Sequence, residues 1–238
     1  MIGYGTELRD LLTANLARHR VEAIPPDDRR RAAVAVVIID SDPASEDPHQ
    51  FPPEEMGDIP GDITGFDGRI EGVAGGAAFL LCLRAANMNR HAGQWALPGG
   101  KVDADETSEA AALREVGEEL GLTIGPSQVL GRLDDYATRS GFVITPIVAW
   151  GGPDVALVPD PREVARVLRI GLHELCRPDS PRFVSIPESD RPVVQLPIGR
   201  NLIHAPTGAV LLQFRWVAIE GRADARVNDF EQPVFAWR

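Results

Sequence analysis

The most constraining feature of this 238-residue chain is a group of three glutamates near the end of a helical segment. The pattern over 107–120 predicts a helix, and Gly121 directly after it is typical of a helix end. At about 100° per residue, Glu119 lies about 40° from Glu115 on such a helix, and Glu118 lies about 60° to the other side. The sequence therefore predicts three carboxylates on one helix face.

Two interpretations of this acidic face are open on residue type alone. Arg114 stands four residues before Glu118, so the face could be a solvated charged surface with one salt bridge. Alternatively, carboxylates on one rigid face are ligands that Mg²⁺ or Mn²⁺ prefers, commonly together with substrate phosphates. Unpaired like charges at these spacings destabilise an isolated helix, which a bound cation would relieve.

The spacing of the whole segment 100–122 favours the second interpretation, because it resembles the Nudix box at every fixed position. That motif is a glycine, five residues, a glutamate, seven residues, and then Arg-Glu-aliphatic-x-Glu-Glu-x-Gly-aliphatic. The matching residues are Gly100, Glu106, Arg114, Glu115, Val116, Glu118, Glu119, Gly121 and Leu122. In a chain of ordinary composition, chance would produce this match on the order of once in ten million sequences.

The resemblance implies a fold, a reaction and a set of site residues. Nudix proteins are α/β (α+β) sandwiches, with a mixed sheet between helices, that cleave a diphosphate linked to a nucleoside with Mg²⁺ or Mn²⁺. The catalytic residues it implies are Glu115, Glu118, Glu119 and Arg114. Of these, the three glutamates would bind the metal with the carbonyl of Gly99, Glu115 would serve as general base in some members, and Arg114 would brace the helix.

A second resemblance concerns the segment 80–100, which is similar to the corresponding segment of coenzyme A pyrophosphatase-like Nudix enzymes. The residues that fit are Arg84, Ala85, His91, Gly93, Gln94, Pro98, Gly99 and Gly100, whereas Asn89, Leu97 and the tail at 203–208 depart from the pattern. This likeness implies hydrolysis of coenzyme A or an acyl-CoA. The alternatives are ADP-ribose, NADH or another nucleoside diphosphate derivative, or a non-catalytic Nudix-fold domain that only binds a ligand.

Three residues outside the box have both a functional and a structural interpretation. Arg84 could bind the substrate diphosphate or pair with an acidic neighbour, and His91 could bind a phosphate or stabilise a turn. Glu163 could be an additional metal ligand or could simply interact with the dipole of a predicted helix.

The order of apolar segments predicts the rest of the fold. We expect helices at 5–20, 161–170 and 206–219 (the last with a strand as alternative), strands at 32–39, 77–83, 128–133 and 142–150, and mostly loop at 177–200. The chain is interpreted as a single domain over 1–238. Its parts are an N-terminal helix region (1–30), an acidic loop insertion (41–76), the box (100–122) and a C-terminal extension (177–238).

The amino-acid composition indicates which classes of partner the protein can bind. The apolar share of 44% and charged share of 25% are those of a globular protein. The 24 basic and 35 acidic residues give a net charge of −11 without a basic block, which argues against nucleic-acid binding. With two cysteines, no apolar run long enough for a membrane and no visible leader, we expect a cytoplasmic protein whose partner is a small diphosphate. A homodimer is compatible with the sequence.

Overall fold

The computed structural model describes residues 2–41, 76–85, 94–153, 155–198 and 201–237. His91 and nearly all of the expected acidic insertion at 41–76 lie outside these residues. The helices are α1 (Thr6–Arg18), α2 (Ser108–Leu120), α3 (Leu172–Leu175) and α4 (Thr207–Phe214). The strands are β1 (Arg30–Ser41), β2 (Gly76–Arg84), β3 (Trp95–Ala96), β4 (Gly99–Lys101), β5 (Val129–Arg132), β6 (Tyr136–Ala137), β7 (Phe142–Gly152), β8 (Val164–Gly171), β9 (Arg182–Ile186), β10 (Ser189–Ile198) and β11 (Asn201–His204).

The main sheet is mixed, as expected. Its central order is β3-β2-β1-β7-β5, with β8 paired to β2, β4 to β1 and β6 to β7. The pairing of β1 with β7 is parallel, while the other pairings of this sheet are antiparallel. The long apolar strand β1 therefore lies in the interior of the sheet, where both of its faces must be covered.

Alternating side chains of β1 enter two separate cores, one on each face of the sheet. Ala35 and Val37 pack with Val116 and Leu120 of α2. The neighbouring Val36 and Ile38 point the other way, into a core that includes apolar side chains of α1, α4 and β10. Helices thus cover both faces of the sheet, and the expected α/β layered fold is confirmed.

The helix predicted at 161–170 is wrong, because this segment is strand β8. Its residues pair antiparallel with β2 from Ala78↔Gly171 to Arg84↔Val164. Pro161 and Glu163 are typical of a helix start, but Val164, Leu168 and Ile170 are buried and complete the sheet beside β2. Burial of these apolar side chains in the tertiary structure outweighs the local signals.

The loop expected at 177–200 is also wrong, since β9, β10 and β11 form a second, antiparallel sheet. The prolines of this segment suggested a loop. Pro192, however, lies where the register between β9 and β10 shifts, a position that needs no regular ladder donor.

The other predicted elements are confirmed with small changes at their ends. The strands expected at 32–39, 77–83, 128–133 and 142–150 are β1, β2, β5 and β7. The helix expected at 206–219 is α4 followed by one π-helical turn over Arg215–Ile219. No helix in the described part of the chain has the length and apolar character needed to cross a membrane.

Candidate functional site

Helix α2 has well-defined ends that set the position of its acidic face. Thr107 caps the N-terminus, since its Oγ1 accepts a hydrogen bond of 3.1 Å from the Ala110 N–H. At the other end Gly121 adopts φ +66°, and a Cβ there would also press against the backbone of Val158. The helix therefore ends where its sequence predicts, immediately after Glu119 and Leu120.

Two glycines let the strand before the helix approach the acidic face closely. Gly99 and Gly100 pair with Val34 and Ala33 of β1. A Cβ at Gly99 would overlap the Ala33 carbonyl oxygen, and one at Gly100 would overlap the carboxylate of Glu115. Gly99 therefore lets β4 pack closely against β1, and Gly100 leaves the space that the Glu115 carboxylate occupies.

Glu119 is the most buried acidic residue of the box, with 4% of its surface exposed. Its Oε2 accepts a 3.1 Å hydrogen bond from the Gly99 N–H. Burial raises the pKa of Glu119 to about 7; the Gly99 bond and the Arg84 charge oppose that rise, while the charges of Glu115 and Glu163 add to it. This carboxylate lacks enough donors to offset its burial.

The pKa of Glu115 is also raised, though less than that of Glu119. Burial raises its pKa, hydrogen bonding from Arg114 lowers it, and the charges of Glu118 and Glu163 raise it again. The charges of Glu118 and Glu163 thus act on Glu115, and those of Glu115 and Glu163 act on Glu119. Glu115, Glu118, Glu119 and Glu163 are here called the carboxylate cluster.

Arg114 lies among these acids, and its N–H groups donate hydrogen bonds to carboxylates and to a backbone carbonyl. Its Nη1 is 2.9 Å from Glu115 Oε1 and 2.9 Å from Glu118 Oε2, as the four-residue spacing predicts for Glu118. Its Nε is 3.1 Å from Glu106 Oε1, and its Nη2 donates to the Lys101 carbonyl. Arg114 thus ties the helix to the preceding loop.

Glu163 joins the cluster through sheet pairing, which the sequence did not reveal. Its carbonyl accepts a 2.9 Å hydrogen bond from the Ala85 N–H, next to the end of β2. The register of β8 on β2 shifts here, from Leu83↔Arg166 to Arg84↔Val164, so β8 has a bulge beside the site. The expected helix entry at Glu163 is therefore a strand start that brings its charge next to Glu115 and Glu119.

Arg84 borders the cluster from β2. Its Nη1 lies 4.0 Å from Glu119 Oε1, and its side chain is 23% exposed. This placement supports the acidic neighbour that sequence analysis considered, and it leaves the substrate interpretation open. His91, the other candidate for substrate binding, is outside the described residues.

The donor set fits a divalent cation of the Mg²⁺ or Mn²⁺ type. Carboxylate oxygens predominate. Burial raises the pKa values of Glu115 and Glu119 despite the nearby Arg114 and Arg84, so a further positive charge would stabilise the ionised acids. Within the described ranges, no three His, Cys, Asp or Glu side chains are already arranged as a metal site. Arg114 Nη1 contacts Oε1 of Glu115 and Oε2 of Glu118, so a cation could be shared through the other oxygen of each carboxylate while Arg114 keeps both contacts.

Comparisons with known proteins agree with this geometry. The NUDIX domain family model matches residues 70–185. An "Uncharacterized Nudix hydrolase NudL" of Photorhabdus laumondii is 37% identical over 45% of this chain and 58% of its own length. A protein of the same name from Yersinia pestis is 41% identical over 40% of this chain and 48% of its own. The chain thus spans about half the length of the curated relatives it matches.

A solved structure supports the fold alone. The crystal structure of a MutT/nudix family protein from Enterococcus faecalis aligns with a TM-score of 0.53 and 16% identity, over 83% of this chain and 65% of that one. The family model, together with the box geometry, identifies residues 70–185 as a NUDIX domain.

Proposed function

We propose that this chain hydrolyses the diphosphate bond of a nucleoside diphosphate derivative, with Mg²⁺ or Mn²⁺ as cofactor. The observation that carries the proposal is the carboxylate cluster, in which Glu119 and Glu115 lie against Gly99 and Gly100. The cluster is costly without a cation, because Glu119 is buried, Glu115 is half-buried, and neighbouring acids of the same charge raise the pKa of both. That cost is consistent with a site built to bind positive charge.

The proposed ligands of the cation are Glu115, Glu118, Glu119 and the carbonyl of Gly99. A bound divalent cation would offset the phosphate charge and polarise the bond to be broken. Glu119 is oriented for this task by its hydrogen bond from the Gly99 N–H. Arg114 acts as a positioning residue, because it holds Glu115 and Glu118 through one nitrogen and the Lys101 carbonyl through another.

Glu115 is the proposed general base. A water oxygen attacks one phosphorus, the bond from that phosphorus to the bridging oxygen breaks, and the proton of the water passes to the Glu115 carboxylate. The contact between this carboxylate and Gly100 restricts where it can lie. Glu163 is a further candidate ligand, since its charge affects the pKa values of Glu115 and Glu119 alike.

The proposed substrate is coenzyme A or an acyl-CoA, on the strength of the 80–100 segment. ADP-ribose, NADH and other nucleoside diphosphate derivatives are the alternatives, and a non-catalytic binding domain is the alternative to an enzyme. All three glutamates of the box are present, which favours turnover over binding alone. The proposal also includes one domain over 1–238, a cytoplasmic location, no nucleic-acid partner, and either a monomer or a homodimer.

A product assay tests both the reaction and the substrate. The purified chain is incubated with coenzyme A, ADP-ribose, NADH and a diadenosine polyphosphate, each with Mg²⁺, with Mn²⁺ and with a chelator. We expect cleavage at the diphosphate only with metal, with the highest kcat/KM for coenzyme A. A value for coenzyme A more than tenfold below another substrate rejects the subgroup, and ligand binding without turnover of any compound rejects the enzyme.

A further inference from the structure

Arg84 lies beside the carboxylate cluster and has donors without an acceptor among the described residues. An arginine side chain carries five N–H donors in a planar fork. The contact of Arg84 with Glu119 is 4.0 Å, which is too long for a hydrogen bond. The Arg84 Nε is buried and has no acceptor among the described residues. This guanidinium is therefore attracted to Glu119 without being fixed by it.

The backbone of Arg84 is held firmly, in contrast to its side chain. The Arg84 N–H donates to the Gln94 carbonyl at 3.0 Å, and the next N–H, of Ala85, donates to the Glu163 carbonyl at 2.9 Å. Arg84 also lies opposite Val164 in the ladder between β2 and β8. Segments on both sides of β2 therefore fix the backbone position of Arg84. The partly exposed side chain of Arg84 can reach a ligand in the site.

The hydrogen bonding of Arg114 differs from that of Arg84. Its Nε, Nη1 and Nη2 all have carboxylate or carbonyl acceptors within 3.1 Å. A diphosphate could bind Arg114 only by breaking these bonds. Arg84 can donate to a phosphate oxygen without such a loss, and guanidinium groups suit phosphate oxygens in charge and shape.

We propose that Arg84 couples the binding of the cation and of the diphosphate, an inference that rests on the proposed function. Without a cation, Arg84 is attracted to Glu119, its acidic partner among the described residues. A cation held by Glu119 would offset that attraction, and the guanidinium would then be able to donate to a non-bridging phosphate oxygen. By linkage, each ligand then raises the affinity for the other, and Arg84 carries part of that coupling.

The test measures binding rather than turnover, by calorimetry on the full chain. One titration uses Mn²⁺ alone, and the other uses the non-hydrolysable α,β-methylene analogue of ADP, first with a chelator and then at saturating Mn²⁺, so that the ratio of the two analogue affinities measures the coupling. The variants are Arg84→Met, Arg84→Lys and, as matched control, Arg162→Met. Arg162 is an exposed arginine of the neighbouring loop, and its side chain pairs with the Asp160 side chain.

For Arg84→Met we expect analogue affinity at least about tenfold lower, with Mn²⁺ affinity unchanged or higher because a nearby positive charge is gone. Arg84→Lys keeps the charge without the fork, so about threefold weaker analogue binding is expected. Arg162→Met should match wild type in both titrations.

Three results would overturn the proposal. Weakening of Mn²⁺ binding more than fivefold by both Arg84 variants would mean that Arg84 only orients Glu119. Unchanged analogue affinity in Arg84→Met, or no analogue binding by wild type with Mn²⁺, would remove the coupling altogether. Arg84-dependent analogue binding by a chain that hydrolyses none of the substrates would reject the proposed hydrolase and keep this inference.

Discussion

Two buried glutamates on different sides of the molecule have pKa values shifted in opposite directions. Glu119, in the carboxylate cluster, has its pKa raised by burial to about 7. Glu231 lies in the C-terminal extension, where burial also favours a rise, but hydrogen bonds from Arg139, the Gln232 N–H and Ser189 lower its pKa to about 2. Both side chains are at most 5% exposed. Burial therefore does not decide the charge state here; the supply of donors does.

A buried acid on the other face of the main sheet resembles Glu231 in its supply of donors. Asp134 accepts hydrogen bonds from His19, the Glu22 N–H and Gln213 of α4. Glu119, on the face covered by α2, accepts one hydrogen bond, from the Gly99 N–H, within the described part of the chain. Of these three buried acids, Glu119 therefore has the fewest donors.

The largest expected effect is on turnover. Glu119→Gln removes a proposed cation ligand, so kcat should fall at least about a hundredfold at saturating metal. The free energy of unfolding of the metal-free protein should hold or rise, because a repelled buried charge is gone. Stopped assays and urea unfolding measure the two effects, and Glu109→Gln, an exposed acid of the same helix, is the control. A rate near that of wild type would remove Glu119 from the site.

The matching substitution, at Glu231, should lower the stability of the protein rather than its turnover. Glu231→Gln removes a charge that accepts from Arg139, Ser189 and the Gln232 N–H. We expect the free energy of unfolding to fall by about 2 kcal/mol with kcat nearly unchanged. Urea unfolding measures it, with the exposed Glu188→Gln as control. Equal stability of the two variants would contradict the comparison.

The pH dependence of stability should also have opposite signs for the two acids. A depressed pKa means that the contribution of Glu231 is present above its unfolded pKa and is lost as pH falls from about 4.5 to about 2. A raised pKa means that Glu119 costs stability as pH rises from about 4.5 to about 7.

Unfolding of the metal-free protein between pH 3 and 8 measures this difference. The stability gained by Glu119→Gln over wild type should be largest near pH 8 and should vanish below about pH 4. A gain that does not vary with pH would show that Glu119 does not titrate in this range.

The smallest expected effect concerns the cap of α2. Thr107→Ala removes the hydrogen bond to the Ala110 N–H and should lower the free energy of unfolding by about 1 kcal/mol. Thr107→Ser keeps a capping hydroxyl and should stay within about 0.3 kcal/mol of wild type. Equal losses in both variants would mean that the cap contributes little and that the sheet alone holds the helix in place.

Local spacing made part of the site predictable. The shared face of Glu115, Glu118 and Glu119 follows from helix geometry, and the end of the helix follows from Gly121. The acids were found because they lie within one element. The resemblance of segment 100–122 to a known motif added their proposed roles, which residue type alone left open.

The remainder depends on contacts between distant segments. Glu163 reaches the cluster because β8 pairs with β2, and that pairing is decided by tertiary burial rather than by the helix-like start at Pro161. The second sheet was missed for a related reason, since Pro192 can be placed at a register shift only when both strands are known. A single sequence contains the residues for these pairings but not their register.

The bulge in β8 has a consequence for insertions and deletions. The pairing of β8 with β2 decides which face of the sheet each side chain of β8 occupies. Ala165 is the extra residue of the bulge, so its removal would restore a regular ladder. Val164 would still lie opposite Arg84 and keep its face of the sheet, because the bulge already places Val164 and Arg166, two residues apart, on opposite faces. The Glu163 carbonyl would then keep its bond from the Ala85 N–H. Loss of Ala165 should therefore leave the chemistry in place, whereas an additional residue at this point would displace Val164 and Glu163 along the ladder or turn them to the other face.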